Sequence, residues 1–545
     1  MSVQSRHPQS AYPVIQSSIK IGGAQHEENR KNWEPILERY ALALDEASSE
    51  GKASALSRHT SRGQLLARDR IALLLDSDSP FLELGAFAGH NLKDSTPCAS
   101  MIGGIGLIHD RPCLILSHIP TQSGGAWNEY TVMKQNRLTE IAIENDLPIV
   151  ALVQSAGVFL PYQFKVFHRG GQIFRDLSVR TQKGKPSCAV VFGSCTAGGA
   201  YHPALSDYSI FVKDQAQVFL GGPPLVKMAT GEIIEPEELG GAKVHAQLTG
   251  LADQMAEDEF DAVRKARDWV ASLHLSSIDF LSPIIALPPR YPAEDMISFI
   301  DPDIRKPFNM MEVLIRIVDD SRILEFKPEY GRNLITAWAS IFGHRVGIVA
   351  NRTPVINPDE ASKGTQFIRM CNQQHTPILF LQNVTGFMVG SKAEHAAIIK
   401  RGAQMVSAVS TSTVPHISII MGASYGAGNY AMCGRGFKPR FLFTWPIGRC
   451  SVMGPDQLAG VMETVQRGSA QTQGLDINEA ELNASTQKFR DEVARDSESY
   501  ATSAALHDDG IIDPRDTRDV LGLCLEVVRI PGVEGTETHR LLARI

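Results

Sequence analysis

A chain of 545 residues is too long for a single hydrophobic core, so two or three domains are expected. Its 43% hydrophobic and 21% charged residues are ordinary for a soluble α/β enzyme. The formal net charge of −7, from 53 Lys and Arg against 60 Asp and Glu, argues against nucleic acid or an anionic membrane as the main partner.

Residues 1–26 carry no acid, several Ser and Gln, and Arg6, His7 and Lys20. Mitochondrial leaders share that bias, but this stretch is short and Arg-poor, so a disordered tip is expected. From about 27 to 75, "NWEPILERYALALDEA" and its neighbours place Leu and Ile at helical spacing. Eight cysteines follow along the chain: Cys98, Cys113, Cys188, Cys195, Cys371, Cys433, Cys450 and Cys524. None forms C-x-x-C, so neither a zinc ribbon nor a thioredoxin motif is supported, and no metal site is expected. Buried reduced thiols fit a reducing compartment, the cytoplasm or, in a eukaryote, the mitochondrial matrix. No apolar run reaches the roughly 18–20 residues of a membrane span.

Further along, the chain repeats itself at an interval of 229 residues. "LPIVALVQSAG" (147–157) lies over "TPILFLQNVTG" (376–386), and "GSCTAGGAY" (193–201) over "GASYGAGNY" (422–430). Lys134 falls on Lys363, each ahead of a helix-like stretch, "RLTEIAIEN" and "QFIRMCNQQ". Strand, helix and turn recur in one order, which marks a duplicated domain built from βα units around a mostly buried sheet. The Pro-rich "LSPIIALPPRYPAEDM" (281–296) interrupts helix and sheet alike and marks the boundary. Residues 1–26 are therefore read as the tip, 27–290 as the N-terminal domain and 291–545 as the C-terminal domain. A further exposed helix is expected over about 475–505.

Both Gly-rich turns follow apolar strands, at the corner that faces the ligand crevice in open α/β sheets. A strand–turn–helix with Gly at the bend presents unpaired N–H groups and the positive end of a helix dipole to a negative oxygen. Where the charge develops only during reaction, each such donor lowers the barrier by about 3 kcal/mol. Two such holes suit a reaction with two developing oxyanions, as when a carboxyl group passes between partners.

Six segments carry a family resemblance: "RHTSRGQLLARDRI" (58–71), "GSCTAGGAYHPALSD" (193–207), "FLGGPPLVKMATGEIIEPEELGG" (219–241), "FLQNVTGFMVG" (380–390), "GASYGAGNYAMCGR" (422–435) and "PRFLFTWP" (439–446). They resemble the carboxyltransferase (β) subunits of biotin-dependent acyl-CoA carboxylases, above all the methylcrotonoyl-CoA and geranyl-CoA group. The resemblance implies a crotonase-like ββα superhelix in each half. It implies a homo-oligomer in which the N-domain of one copy faces the C-domain of another, a hexamer within an α6β6 complex with a biotin carboxylase/biotin carrier partner. Acyl-CoA is implied on the N-domain and biotin on the C-domain. By position, the N–H groups of Gly198 and Gly199 would stabilise the thioester enolate and those of Ala427 and Gly428 the ureido oxygen of biotin. Gly124, Gly125, Ala156, Gly157, Gly170, Gly171 and Arg62 would bind the acyl-CoA, and Thr385, Gly386 and Phe387 the biotin. No biotin-attachment A-M-K-M motif occurs ("TVMKQN", 131–136, is a partial match), nor an ATP-binding Gly-rich loop, nor a four-Cys zinc module.

Departures from the family pattern gather near the expected sites. "QSAGV" replaces DSGGA, so Gln154, Ala156 and Val158 stand for Asp, Gly and Ala; Gln64 and Gln404 stand for Lys; "NRT" (351–353) stands for NNG. Gly170, in "HRGGQIF", takes the place of a bulky Phe in methylcrotonoyl enzymes, as in geranyl-type ones, and opens room for a longer acyl chain unless Phe159, Phe164 or Phe167 refills it. The substrate expected is a β-methyl branched enoyl-CoA. Three alternatives stand beside it: a decarboxylase or enzyme of another acyl thioester, an inactive scaffold, and a serine hydrolase. The last rests on "GASYG" (422–426), a G-x-S-x-G elbow, with Ser424 followed by Asp456 or Asp496 and His507 or His539.

Overall fold

The computed structural model describes residues 12–273, 286–473 and 478–529. These form two compact units: an N-unit on residues 42–273, 504–506 and 527–529, and a C-unit on 12–41, 286–473, 478–503 and 507–526.

In the N-unit, strands β1 (Leu82–Glu83), β2 (Met101–Ile108), β3 (Arg111–His118), β4 (Ile149–Ser155), β5 (Ser187–Thr196), β6 (Tyr208–Val212), β7 (Gln217–Phe219) and β8 (Gln254–Ala256) make one sheet. Its order is β1-β2-β3-β4-β5-β6-β8, with β7 beside β5. β2 and β3 form an antiparallel hairpin, and from β3 to β8 each pairing along the sheet is parallel. The hairpin turns through His109 and Asp110, both at positive φ, the two-residue form that suits strand twist. Val150, Leu152, Val190, Phe192 and Ile210 are fully or nearly fully buried in one core cluster, which is why β4 and β5 read as unbroken apolar runs.

The C-unit repeats the plan with β9 (Leu324–Glu325), β10 (Leu334–Ile341), β11 (His344–Asn351), β12 (Val355–Ile356), β13 (Ile378–Val384), β14 (Gly386–Phe387), β15 (His416–Tyr425), β16 (Phe441–Thr444) and β17 (Arg449–Ser451). The order is β16-β15-β13-β11-β10-β9, with β17 beside β15, while β12 and β14 pair separately. Again a hairpin, β10–β11, leads into parallel strands. The interval of 229 holds in detail. Asn128 and Asn357 each close a capping box on the helices Glu129–Glu144 and Pro358–Gln373. Lys134 and Lys363, both buried, donate to the carbonyls of Met101 and Leu334 at 2.6 and 2.8 Å, tying each helix to the first residue of its hairpin.

Two expectations change: residues 27–41, read with the N-terminal domain, belong to the C-unit, and part of the expected tip is ordered. Residues 12–19 are not a disordered tip: Ile15 N donates to Ser321 O, Ile323 N donates to Pro13 O, and Ser17 Oγ and Ser18 N donate to Glu312. A buried carboxylate that needed donors overrode the polar composition of this stretch. The exposed helix expected over about 475–505 is present as Glu479–Asp496, followed by the short helix Ser499–Ala504. Among the described residues no helix is long and apolar enough to cross a membrane.

Candidate active site

In the N-unit three backbone segments meet at the ends of β4 and β5. The β4–β5 register slips between Val153 and Ser155, where β5 carries the extra residues and bulges just before its turn. Ser155 Oγ donates to Gly125 O at 2.7 Å and accepts from Gly157 N at 3.1 Å, while Ala156 N donates to Gly124 O at 2.9 Å. A Cβ on Gly125 would stand 2.3 Å from Gln154 O, and one on Gly157 2.8 Å from Thr196 O. Glycine is what lets these strands pass so closely, and both positions have positive φ. The turn after β5, Ala197–Ala200, is a 3-10 turn that runs on into the helix Tyr201–Leu205. Gly198 and Gly199 thus stand at the start of a helical segment, in the corner that also holds Gly157, Ala156 and the Gly124–Gly125 loop.

Two ionisable side chains beside the turn are neutral at neutral pH. Burial pushes the His202 imidazole down to about 4 and the Cys195 thiol up to about 12. Cys195 Sγ donates to Gly199 O at 3.1 Å. The corner therefore offers backbone dipoles rather than ionisable side chains.

Gly170 and Gly171 lie on the helix Gln163–Gln182. Gly170 is buried, on the stripe of Val166, Ile173 and Leu177 that packs with Trp127, yet a Cβ there would meet nothing within 4 Å. Phe164 and Phe167, expected as possible fillers, are instead 74% and 71% exposed and pack edge-on against His168. Arg62 is exposed, as is Arg58. The other two arginines of that basic run are structural: Arg68 is bidentate to Glu83, and buried Arg70 to Glu259. Arg70 also donates to Gln154 Oε1 at 2.9 Å, which explains one departure from the family pattern. Its charge is already balanced by Glu259, so a neutral amide suffices at 154, and that side chain faces the interior rather than a ligand.

The C-unit corner is built alike. The β13–β15 register slips between Gln382 and Val384, the positions 229 residues beyond the first slip. The helix Gly426–Ala431 follows β15 directly, with Gly426 at φ +55°. A Cβ on Gly428 would stand 2.7 Å from Val384 Cγ2 and 3.0 Å from Gly386 Cα. Thr385 N donates to Pro354 O at 2.6 Å, and Gly386–Phe387 pair with Val355–Ile356. The Phe387 ring lies 3.2 Å from the Cβ position of Gly402. The structure thus brings Gly386, between Thr385 and Phe387, against Gly428. A Cβ on Gly386 would meet nothing within 4 Å, so open space lies beside this residue.

The hydrolase reading fails on this geometry. Ser424 is fully buried, donates to Gln382 Oε1 at 2.6 Å and accepts from Asn429 Nδ2 at 2.8 Å. Asp456 and Asp496 pair with Arg490 and Arg495. Among the described residues no imidazole bonds Ser424; His539 lies outside them. Sequence reasoning missed Ser155, Trp127 and His118. A Ser two residues before a turn glycine is a recognisable local cue, but nothing in the pattern marked His118.

Comparison with known proteins agrees with this architecture. Residues 58–534 match the carboxyl transferase domain family. The chain is 44% identical, over 96% of its length and 98% of the relative's, to a probable biotin-dependent acyl-coenzyme A carboxylase beta2 subunit of Mycobacterium tuberculosis. It is 44% identical, over 94% of its length and 96% of the relative's, to the biotin-dependent 3-methylcrotonyl-coenzyme A carboxylase beta1 subunit of that organism. Its fold matches the crystal structure of the P. aeruginosa geranyl-CoA carboxylase beta subunit with a TM-score of 0.89 at 38% identity, covering 98% and 100% of the two chains. With two crotonase-like halves and a family match over most of its length, the chain belongs to the carboxyltransferase (β) subunits of biotin-dependent acyl-CoA carboxylases, enzymes that transfer a carboxyl group to an acyl-CoA.

Proposed function

We propose that this subunit carboxylates a β-methyl branched enoyl-CoA of geranyl-like length. The observation that carries the reading is Gly170: a buried helix position with unfilled space at its Cβ, on the stripe facing the acyl corner. Removing a phenyl ring there leaves room for the added carbons of a longer chain. The likeness to a geranyl-CoA carboxylase subunit supports the same choice.

The N–H groups of Gly198 and Gly199 take up the thioester oxygen. A 3-10 turn directs the Gly199 N–H back toward Thr196 O in a hydrogen bond of poor geometry, which a negative oxygen can displace. Gly124, Gly125, Ala156 and Gly157 line the thioester, Gly170 and Gly171 the acyl chain, and exposed Arg62 meets the CoA phosphates. Biotin, carried by a biotin carboxylase/carrier partner, supplies the carboxyl group when bound. Ala427 and Gly428 would present N–H groups to its ureido oxygen, with Thr385, Gly386 and Phe387 lining the same site. The subunit acts as a homo-oligomer, a hexamer within an α6β6 complex, in a reducing compartment.

The test is fixation of labelled bicarbonate into a panel of acyl-CoAs, with the biotinylated partner and ATP. Geranyl- and octenoyl-sized β-methyl substrates should be carboxylated. Incorporation restricted to methylcrotonoyl-CoA would refute the role of Gly170, and no incorporation with an active partner would refute the reaction.

A further inference from the structure

Trp127 touches all three backbone segments of the N-unit corner. It directly follows the Gly124–Gly125–Ala126 loop. Its N–H donates to Gly157 O at 2.8 Å and its carbonyl accepts from Phe159 N at 2.9 Å, a single rung joining that loop to the end of β4. Its indole edge lies 3.7 Å from the Cβ position of Gly198. The side chain is 1% exposed, among Val132, Val166, Ile173 and Leu177.

Packing alone could seat an indole there, but its polar edge is fixed as well. Trp127 Nε1 donates to His118 Nε2 at 2.9 Å, with the two rings 6.2 Å apart and 10° from parallel. His118 is the last residue of β3, so its ring is held by the sheet. An indole N–H only donates, so Nε2 is the acceptor and the neutral ring carries its proton on Nδ1. Burial pushes this imidazole down to about 3, so the acceptor persists at neutral pH. The hydrogen bond thus ties the end of β3 to Trp127, whose indole lies beside Gly198.

We propose that Trp127, clamped by His118, is a positioning residue for the acyl thioester. It sets the height of the Gly198–Gly199 turn against the end of β4, and so the place where the thioester oxygen is received. The inference rests on the carboxyl-transfer reading above. Backbone donors stabilise an oxyanion only when aimed at where the charge develops, so a small displacement of the turn costs rate rather than binding.

Trp127→Phe keeps a buried ring and loses the N–H; His118→Leu loses the acceptor. Each variant is assembled with the biotinylated partner and assayed on the best acyl-CoA of the wild type. Each should lower kcat by about ten- to a hundredfold. KM for acyl-CoA should stay within about twofold. The double variant should cost no more than the worse single one, because both break one bond. His118→Gln, whose amide can accept and donate, should recover part of the loss. A kcat for Trp127→Phe within about twofold of wild type, or losses that multiply in the double variant, would assign Trp127 to core packing and overturn the proposal. A wild type inactive on every acyl-CoA removes the reaction, and this inference with it; an active wild type matched by its variants sinks the inference alone.

Discussion

After β5 the chain opens a 3-10 turn with Ala197 at φ +53°; after β15 it opens an α-helix with Gly426 at φ +55°. The backbone path is shared, and what supports it is not. In the N-unit, Ser155 stitches the corner with hydrogen bonds to Gly125 and Gly157, and Gly199 has slack: its Cβ position lies 3.5 Å from Ser155 and Cys195. In the C-unit the residue matching Ser155 is Val384, whose methyl would stand 2.7 Å from a Cβ on Gly428. Duplication kept the corner and let its support diverge, one half polar and loose, the other apolar and tight. Glycine at matching places therefore answers to different constraints.

The sharpest way to break this contrast is to add one methyl to each turn. Gly428→Ala should drive the turn off Val384 and Gly386. Turnover should fall by on the order of a hundredfold or more through lost oxyanion donors. Stability should fall by about 1–3 kcal/mol through overpacking. Gly199→Ala meets only ordinary contacts, so its turnover should fall less than about tenfold and its stability by less than about 1 kcal/mol. Bicarbonate fixation and calorimetric Tm on both variants check this; equal losses would mean that the two turns are held alike.

Much of this was readable from residues alone, because duplication doubles a weak signal. One Gly-Gly turn is ambiguous, but two at one interval, each behind an apolar strand, point to paired corners. The hairpins, the buried lysines and the β-bulges keep that interval or lie within a few residues of it. What stayed hidden depends on contacts far apart in sequence. Nothing near Gln154 tells that Arg70 and Glu259 await it in the interior. Nothing in residues 12–19 tells that Glu312 needs their donors. Direction was hidden too: a Cβ at 199 faces Ser155 and Cys195, so a substitution there acts by shifting the turn rather than by blocking a ligand.

Acid should separate the halves further. In the N-unit, burial depresses His59, His118 (to about 3) and His202 (to about 4); in the C-unit it depresses His416 (to about 4) and His507. An unfolded imidazole gains its proton below about 6.5 while these folded ones refuse it, so their stabilisation is present above that pH and lost as pH falls. The C-unit has an opposing group. Asp508, fully buried beneath Thr444, is raised to about 7 by burial, so the folded state holds a proton that the unfolded state releases above about 4. Its contribution is present at low pH and lost as pH rises through about 7. Each tenfold change in proton affinity is worth about 1.4 kcal/mol. Moving from pH 7.5 to 5 should therefore lower amide-exchange protection more in β4 and β5 than in β13 and β15. Asp508→Asn should raise Tm at pH 8 and change it little at pH 4; a gain that is the same at both values would remove Asp508 as the counterweight.

The smallest effect is also the finest probe of the two turns. A left-handed conformation costs a residue with a Cβ about 1–2 kcal/mol, and replacing Ala by Gly gives back about 0.5–1 kcal/mol in unfolded-state entropy. Ala197→Gly should then be neutral or stabilising by up to about 1 kcal/mol. Gly426→Ala should be destabilising by about 1 kcal/mol. Its new Cβ would also stand 3.1 Å from Val452 O, which adds to the loss. Turnover decides what the strain at Ala197 does. If the methyl only reflects divergence of the copies, Ala197→Gly leaves kcat unchanged. If it stiffens a turn that has slack at Gly199, the variant gains stability and loses rate, because a looser N-unit turn spends less time with its donors aimed. The tight C-unit turn has no slack for such a methyl to remove, so the same gain of stability with loss of rate at both positions would contradict the difference in support.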